Sequence, residues 1–389
     1  MPYRPEPSVS AQSACCPLGR SDSCGVCSAD RRAIGIVLAN VGTPAAPTAP
    51  ALRTYLRQFL SDTRIAEQPP WKWLPILYLF VLTTRPQRVA KLYKKIWTDD
   101  GSPLLAISRR QAAGIAARLA EARSGGEPRF HVAVGMRYGQ PSIEKALAEL
   151  RSAGAERILF LPLFPQYAAA TTASALDVLH REARSWRRVP EIRTINSYHG
   201  EPGYIRALAA SIRETWREDQ PDKLVLSYHG VPQRYVDQGD PYQCQCLETT
   251  RLLVEVLGVK EDRVLSTFQS QFGREQWILP KTDETLRELA RAGDRRVDVA
   301  CPGFSADCIE TLEEIEVENR GYFEESGGER LRYIPCLNDR PDHLDALTDL
   351  ILRNTREWQT LAAPASPPAS DAPPRGGVSE RGWSTQTQP

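Results

Sequence analysis

The sequence predicts an α/β protein made of two similar doubly wound, Rossmann-like domains, each around a parallel four-stranded sheet, with the active-site cleft between them. Two observations carry this. PSIEKALAELRSAG from residue 141 aligns without a gap with PKTDETLRELARAG from residue 280, an offset of 139 (280 minus 141). The offset also places AERILFLP (155–162) opposite DRRVDVAC (294–301), and IRTINS (192–197) opposite LRYIPC (331–336). Each half therefore repeats an amphipathic helix, a buried strand, a second helix and another strand, the alternation that builds a parallel sheet covered on both faces.

In chain order, residues 1–32 are a polar, Cys-containing tail expected to be disordered. AIGIVLANVG (33–42) opens the first domain, 33–200, as DKLVLSYHG (222–230) opens the second, 201–360. HVAVGMRYG (131–139) and RVLSTFQSQFG (263–273) are the second strands. Their spacing exposes an insertion of about 54 residues in the first half: 188 separates the first strand pair and 134 the second (230 minus 42; 273 minus 139). The insertion contains the apolar stretch 71–82 and the basic run Arg85 to Lys95, and is expected to form a lip, about 69–100, over the cleft. The last helix, Pro341 to Trp358, is expected to pack back on the first domain. Residues 361–389, rich in Pro, Ala, Ser and Gly, lack apolar periodicity and are expected to be disordered.

Composition excludes several classes. With 49 basic and 48 acidic residues among 389, there is no electrostatic footprint for a nucleic-acid partner. The N-terminus lacks an apolar core before a small-residue cleavage site, so a cytoplasmic protein is expected. LPILYLFVL (74–82) is about half the length of a membrane span and is flanked by Trp71, Lys72, Trp73 and Arg85, so it can touch a bilayer's inner face without crossing it. An odd count of nine cysteines argues against a disulfide framework. Cys15, Cys16, Cys24 and Cys27 have a spacing that could ligate zinc or an iron–sulfur cluster, but few apolar residues surround them to hold such a site.

In parallel sheets ligands bind beyond the C-terminal strand ends. His229 follows the buried run LVLSY and precedes Gly230, so its imidazole belongs at a strand tip facing the cleft. On the same sheet, VDVACPGFSADCIETLEEIEVE (297–318) gathers Glu310, Glu313, Glu314, Glu316 and Glu318 with no cation before Arg320. On an α-helix Glu310 and Glu314 stack at i and i+4, a like-charge pair that costs a few tenths of a kcal/mol, roughly, unless a cation is present. The plain alternative is a solvated acidic face. Nitrogen and carboxylate donors together suit a borderline divalent metal such as Fe(II) or zinc. There is no G-x-G-x-x-G after the first strand, no P-loop, no G-x-S-x-G elbow and no H-E-x-x-H pair. A His and one or two Glu below a lip of aromatic, apolar and basic residues imply a large apolar ligand with anionic groups, as a porphyrin with propionates is.

NVGTP (40–44), YKKIWTDDGSPL (93–104), GMRYGQPS (135–142), SYHGVPQRYVDQGDPYQCQC (227–246), TFQSQFGREQWILPKTDETL (267–286) and CPGFSADCIETLEEI (301–315) resemble the ferrochelatase family, in the right order over about 33–355. The resemblance implies a chelatase-type fold and a lyase that inserts Fe(II) into protoporphyrin IX, the terminal step of haem biosynthesis. It implies that His229 is the active-site histidine, accepting pyrrole protons or ligating the metal, that Glu310 is its partner carboxylate at the metal, and that Glu314 continues the acidic file. By the same resemblance Arg137 and Tyr138 face the opposite side of the porphyrin, Arg85, Tyr93 and Ser102 hold propionates, and Tyr242, Trp277 and Phe304 clamp the macrocycle. No cofactor beyond substrate Fe(II) is implied, and a C-terminal [2Fe-2S] cluster is expected to be absent because no closely spaced cysteine set follows Cys336. Coproporphyrin III is the alternative substrate. A sirohydrochlorin or cobalt chelatase and a non-enzymatic tetrapyrrole carrier are the rival readings; a carrier would need no base. Glu313, Glu316 and Glu318 are expected to be closer to a solvated face, with Glu318, which continues the i+4 row, the best placed of the three to extend the file.

Overall fold

The computed structural model describes residues 33–122, 129–271 and 275–362. The Cys15, Cys16, Cys24 and Cys27 set, the expected disorder of 1–32 and that of 361–389 beyond its first two residues lie outside the described residues; those two, against expectation, continue the last helix, which runs to Ala362. Among the described residues eight strands form two parallel sheets. β1 (Ile34–Thr43), β2 (Phe130–Gly139), β3 (Arg157–Pro162) and β4 (Glu191–Thr194) are ordered β2-β1-β3-β4. β5 (Lys223–His229), β6 (Val264–Gln269), β7 (Arg296–Ala300) and β8 (Arg330–Ile334) are ordered β6-β5-β7-β8. The sheets share one topology, and the 139-residue offset maps β3 onto β7 and β4 onto β8.

The central strands are aliphatic runs because helices cover both their faces: Ile34, Ile36, Val37 and Leu38 of β1 and Leu224, Val225 and Leu226 of β5 are buried. The helices that cover them follow from local sequence. In Thr282–Ala292, Thr282, Leu286 and Ala290 recur every fourth residue and are buried, Asp283 and Glu284 occupy the positive N-terminal end, and Gly293 closes the helix at φ +101°.

Helix Pro341–Ala362 lies across both halves. It packs on helix Pro103–Glu121 of the first half and helix Pro202–Trp216, which leads into β5. Trp358 is fully buried, its carbonyl accepts from Arg157 Nη1 at 2.8 Å, and Arg193 lies 4.5 Å over its ring. The two sheets thereby share one apolar core through Ile36, Leu161, Tyr204, Leu226 and Ile351.

Two features depart from a simple α-helical reading. After β3 and β7, at equivalent places in the repeat, the chain enters π-helical turns at Ala169–Ala173 and Glu310–Asn319. Their i→i+5 bonding moves side chains off the i+4 row, so the acidic file does not run on to Glu318, which is exposed and accepts a hydrogen bond from Tyr322. Glu313 is not solvated either: its carboxylate is buried and pairs with Lys95.

Candidate active site

His229 ends β5, between β6 and β7, where the strand order reverses, the place at which parallel sheets offer a crevice for ligands. Its Nδ1 lies 2.6 Å from the Gly230 carbonyl oxygen. A carbonyl only accepts, so Nδ1 carries a proton, and Nε2 is the ring nitrogen left free of that contact. Gly230 must be glycine: a Cβ there would stand 2.8 Å from Gln269 O and 3.1 Å from Trp277 Cε3. That closeness lets Gly230 N–H bond Gln269 O at 2.7 Å and sets Trp277 beside the histidine loop.

β6 ends at Gln269, which organises the acidic segment. Its Nε2 donates to Glu310 O at 2.7 Å and to Glu314 Oε2 at 3.3 Å, while its Oε1 accepts from Ser227 Oγ at 2.7 Å. Ser270 N–H donates to Glu314 Oε1 at 2.7 Å, and Ser270 Oγ donates to the other carboxylate oxygen. Ser270 does so at φ +63°, a left-handed conformation costing about 1–2 kcal/mol for a non-glycine residue. Asn319 Nδ2 holds the Glu314 carbonyl at 2.8 Å. Burial pushes the Glu314 carboxyl above the usual range; Ser270 and the nearby His229 ring oppose that rise, and Glu310 adds to it. His229, Glu310 and Glu314 are thus brought together. Among the described residues no three His, Cys, Asp or Glu side chains converge as a metal-ligand set.

The first half supplies the other wall. Arg137 and Tyr138, near the end of β2, converge on Asp62, which the sequence reading missed. Tyr138 Oη donates to Asp62 Oδ2 at 2.7 Å, Arg137 pairs with the same carboxylate, and Ser174 Oγ lies 2.6 Å from Arg137 Nε. Burial pushes the Asp62 carboxyl up, but hydrogen bonds from Ser174, the Arg64 amide and Tyr138, with the Arg137 charge, outweigh it and hold the carboxyl below its ordinary value. A carboxyl lowered in the fold stabilises above the ordinary aspartate range and loses that contribution as pH falls through the lowered value. Asp62→Asn should therefore cost about 1–2 kcal/mol at pH 7. In urea melts the gap to the parent should narrow below about pH 4; an equal gap at both pH values would rule out the charge as its source.

The expected substrate contacts divide. Tyr93 and Ser102 are buried and joined through Thr43, whose Oγ1 donates to Ser102 Oγ at 2.7 Å and whose side chain also bonds Tyr93. Arg85 is exposed on helix Leu82–Ile96, with no ion pair among the described residues. Tyr242 is buried, and its hydroxyl stands 3.7 Å from where a Cβ on Gly303 would be, next to half-buried Phe304. Cys244 is exposed and Cys246 buried on helix Tyr242–Leu257. The lip is one helical run from Pro70 to Ile96 that buries Leu77 and Leu82 but leaves Trp71 74%, Leu79 66% and Phe80 66% exposed. No helix among the described residues is long and apolar enough to cross a membrane.

The family model for ferrochelatase matches residues 33–355. The chain belongs to the ferrochelatase family. It is 53% identical over 331 residues to the ferrochelatase of Hydrogenovibrio crunogenus, covering 84% of this chain and 87% of that one. It is 51% identical over 348 residues to that of Thioalkalivibrio sulfidiphilus, covering 89% and 92%. Among solved structures, SirB from Bacillus subtilis with Fe3+ matches with a TM-score of 0.49 at 15% identity, covering 84% of this chain and 95% of that one. The residues that hold the ferrochelatase-family segments in place here, Asp62, Gln269 and Ser270, are polar partners contributed by β6, its following turn and the turn after helix Ala49–Leu60. Gln269 and Ser270 lie toward the C-terminal end of RVLSTFQSQFG, the second strand of the second half. Asp62 had no local signal, being 75 residues from Arg137.

Proposed function

We propose that this ferrochelatase-family protein is a lyase that inserts Fe(II) into protoporphyrin IX, with His229 as the proton acceptor and Glu310 as the carboxylate that meets the metal. The observation that carries the reading is the placement of His229: Nδ1 bonded to the Gly230 carbonyl, the ring beside Glu314 and Glu310, at a strand end of the parallel sheet. Metallation must strip two weakly acidic pyrrole protons, and a positioned imidazole near its working pH suits that task. Glu314, bonded to Ser270, carries protons away from Glu310. The macrocycle sits below the lip, with Tyr93, Ser102 and Arg85 toward the propionates and Trp277, Tyr242 and Phe304 against the ring, whose distortion draws on remote binding energy. Arg137 and Tyr138 face it from the first half.

Incubated anaerobically with Fe(II) or Zn(II), the protein should convert protoporphyrin IX to the metalloporphyrin, followed by absorbance, faster than coproporphyrin III. The reverse order would shift the assignment to coproporphyrin. The exposed Trp71, Ile76, Tyr78, Leu79 and Phe80 support a peripheral contact of the lip with a lipid surface, where aromatic and aliphatic side chains gain by leaving water. The protein is expected to float with vesicles containing anionic lipid, and Leu79→Ser with Phe80→Ser to reduce the bound fraction by at least tenfold, a loss of about 1.4 kcal/mol. Unchanged flotation would end that reading.

A further inference from the structure

Across the cleft mouth the lip and the turn that leads into it are tied to the second half at two places. On one side Arg234 pairs with Glu67, and Tyr235 Oη donates to Ile65 O at 3.4 Å. On the other, helix Leu82–Ile96 meets the π-helical segment Glu310–Asn319. There Ile309 packs against the Leu52, Ala90 and Tyr93 cluster, and Lys95 Nζ stands 2.8 Å from Glu313 Oε1. The Lys95 side chain is 52% exposed and that of Glu313 is 8% exposed, so the carboxylate is buried at the joint while the lysine reaches down to it from solvent.

The placement of Glu313 gives this pair more than a local role. Its neighbour Glu314 faces Ser270, Gln269 and His229, while Glu310, one turn earlier, gives its backbone carbonyl to Gln269 and has its carboxylate near Glu314, Cys308 and Tyr93. Glu313 turns away from Ser270 and Gln269, to Lys95 on the helix that carries Arg85 and Tyr93. A displacement of the lip helix relative to β7 and its loop therefore pulls on the same backbone turn that sets the two site carboxylates. A buried carboxylate that lost its cation would be drawn toward solvent, turning the segment about its axis.

We propose that Lys95 and Glu313 are positioning residues that couple the seat of the macrocycle on the lip to the orientation of Glu310 and Glu314. The proposal rests on the site reading given above. The porphyrin is held by the lip helix and the base and acids by the second half, so turnover requires a fixed relation between the two, and this ion pair supplies it on the side of the acidic segment.

The test is a double-mutant cycle on the full chain with Lys95→Met, Glu313→Gln and both together. The readouts are kcat for zinc insertion into protoporphyrin IX and, separately, the porphyrin Kd from quenching of tryptophan fluorescence. Each single change should lower kcat about tenfold and leave Kd within about twofold, and the double should lose no more than the worse single, as for residues acting through one another. Glu313→Gln guards against a folding artefact, because it leaves Lys95 half in solvent where it needs no partner; its melting curve should match the parent. Single variants with parental kcat, losses that multiply in the double, or a loss confined to Kd would each overturn the coupling. A fully active His229→Ala protein would instead remove the site reading beneath it, so the two failures are told apart.

Discussion

His229→Ala is expected to lower kcat for metal insertion by about 10²–10⁴, the range a positioned general base supplies. The fold should be untouched. His229 is half-buried at a strand tip, and among the described residues its ring bonds only the carbonyl of the next residue, so alanine opens no packed core. Porphyrin affinity, set by the lip and ring contacts, should stay within about threefold, making this a kcat effect. Anaerobic single-turnover absorbance with Zn(II), which avoids iron oxidation, is the direct measurement. Activity within tenfold of the parent would remove His229 as base and favour a carrier.

Glu314→Gln should cost about 10²-fold in kcat, the lower end of the same range, because the amide keeps the Ser270 N–H bond but takes up no proton. Its diagnostic is pH. Burial raises the Glu314 carboxyl, so as pH falls it binds a proton at a higher pH than a solvent-exposed glutamate and ceases to accept one. The acid limb of log kcat in the parent should include the proton taken up by the Glu314 carboxyl. In the variant that proton should be missing from the limb. An unchanged limb would assign that titration elsewhere. The same raised carboxyl costs stability at neutral pH: the folded state binds the proton more tightly than the unfolded chain, so stability rises as pH drops through the raised value. Glu314→Gln should therefore be neutral to slightly stabilising while it damages turnover.

What was legible in the sequence was what repeats or alternates. The 139-residue offset maps strands and helices of one half onto the other because each unit must bury the same faces. His229 was legible because a histidine between a buried run and a glycine has one place to be in a parallel sheet. The π-helical turn was not: apolar spacing in IETLEEIEVEN is compatible with either i→i+4 or i→i+5 bonding, and what holds the wider turn, Asn319 on the Glu314 carbonyl and Gln269 on that of Glu310, comes partly from another strand. Glu313 read as one more solvated acid because its partner, Lys95, lies 218 residues away. Asp62 and Ser174 escaped for the same reason. Long-range polar partners leave no periodicity.

The two sheets have the same strand order, and both halves widen their helix at the same point after the third strand. Only one of the two turns carries acids; the other is AATTA. A chain of half this length, with the same sheet and the same turn, would have had to meet a second copy of itself to enclose a cleft. Joined in one chain, the two halves need not each do everything. One carries the carboxylates and the histidine, the other the lip.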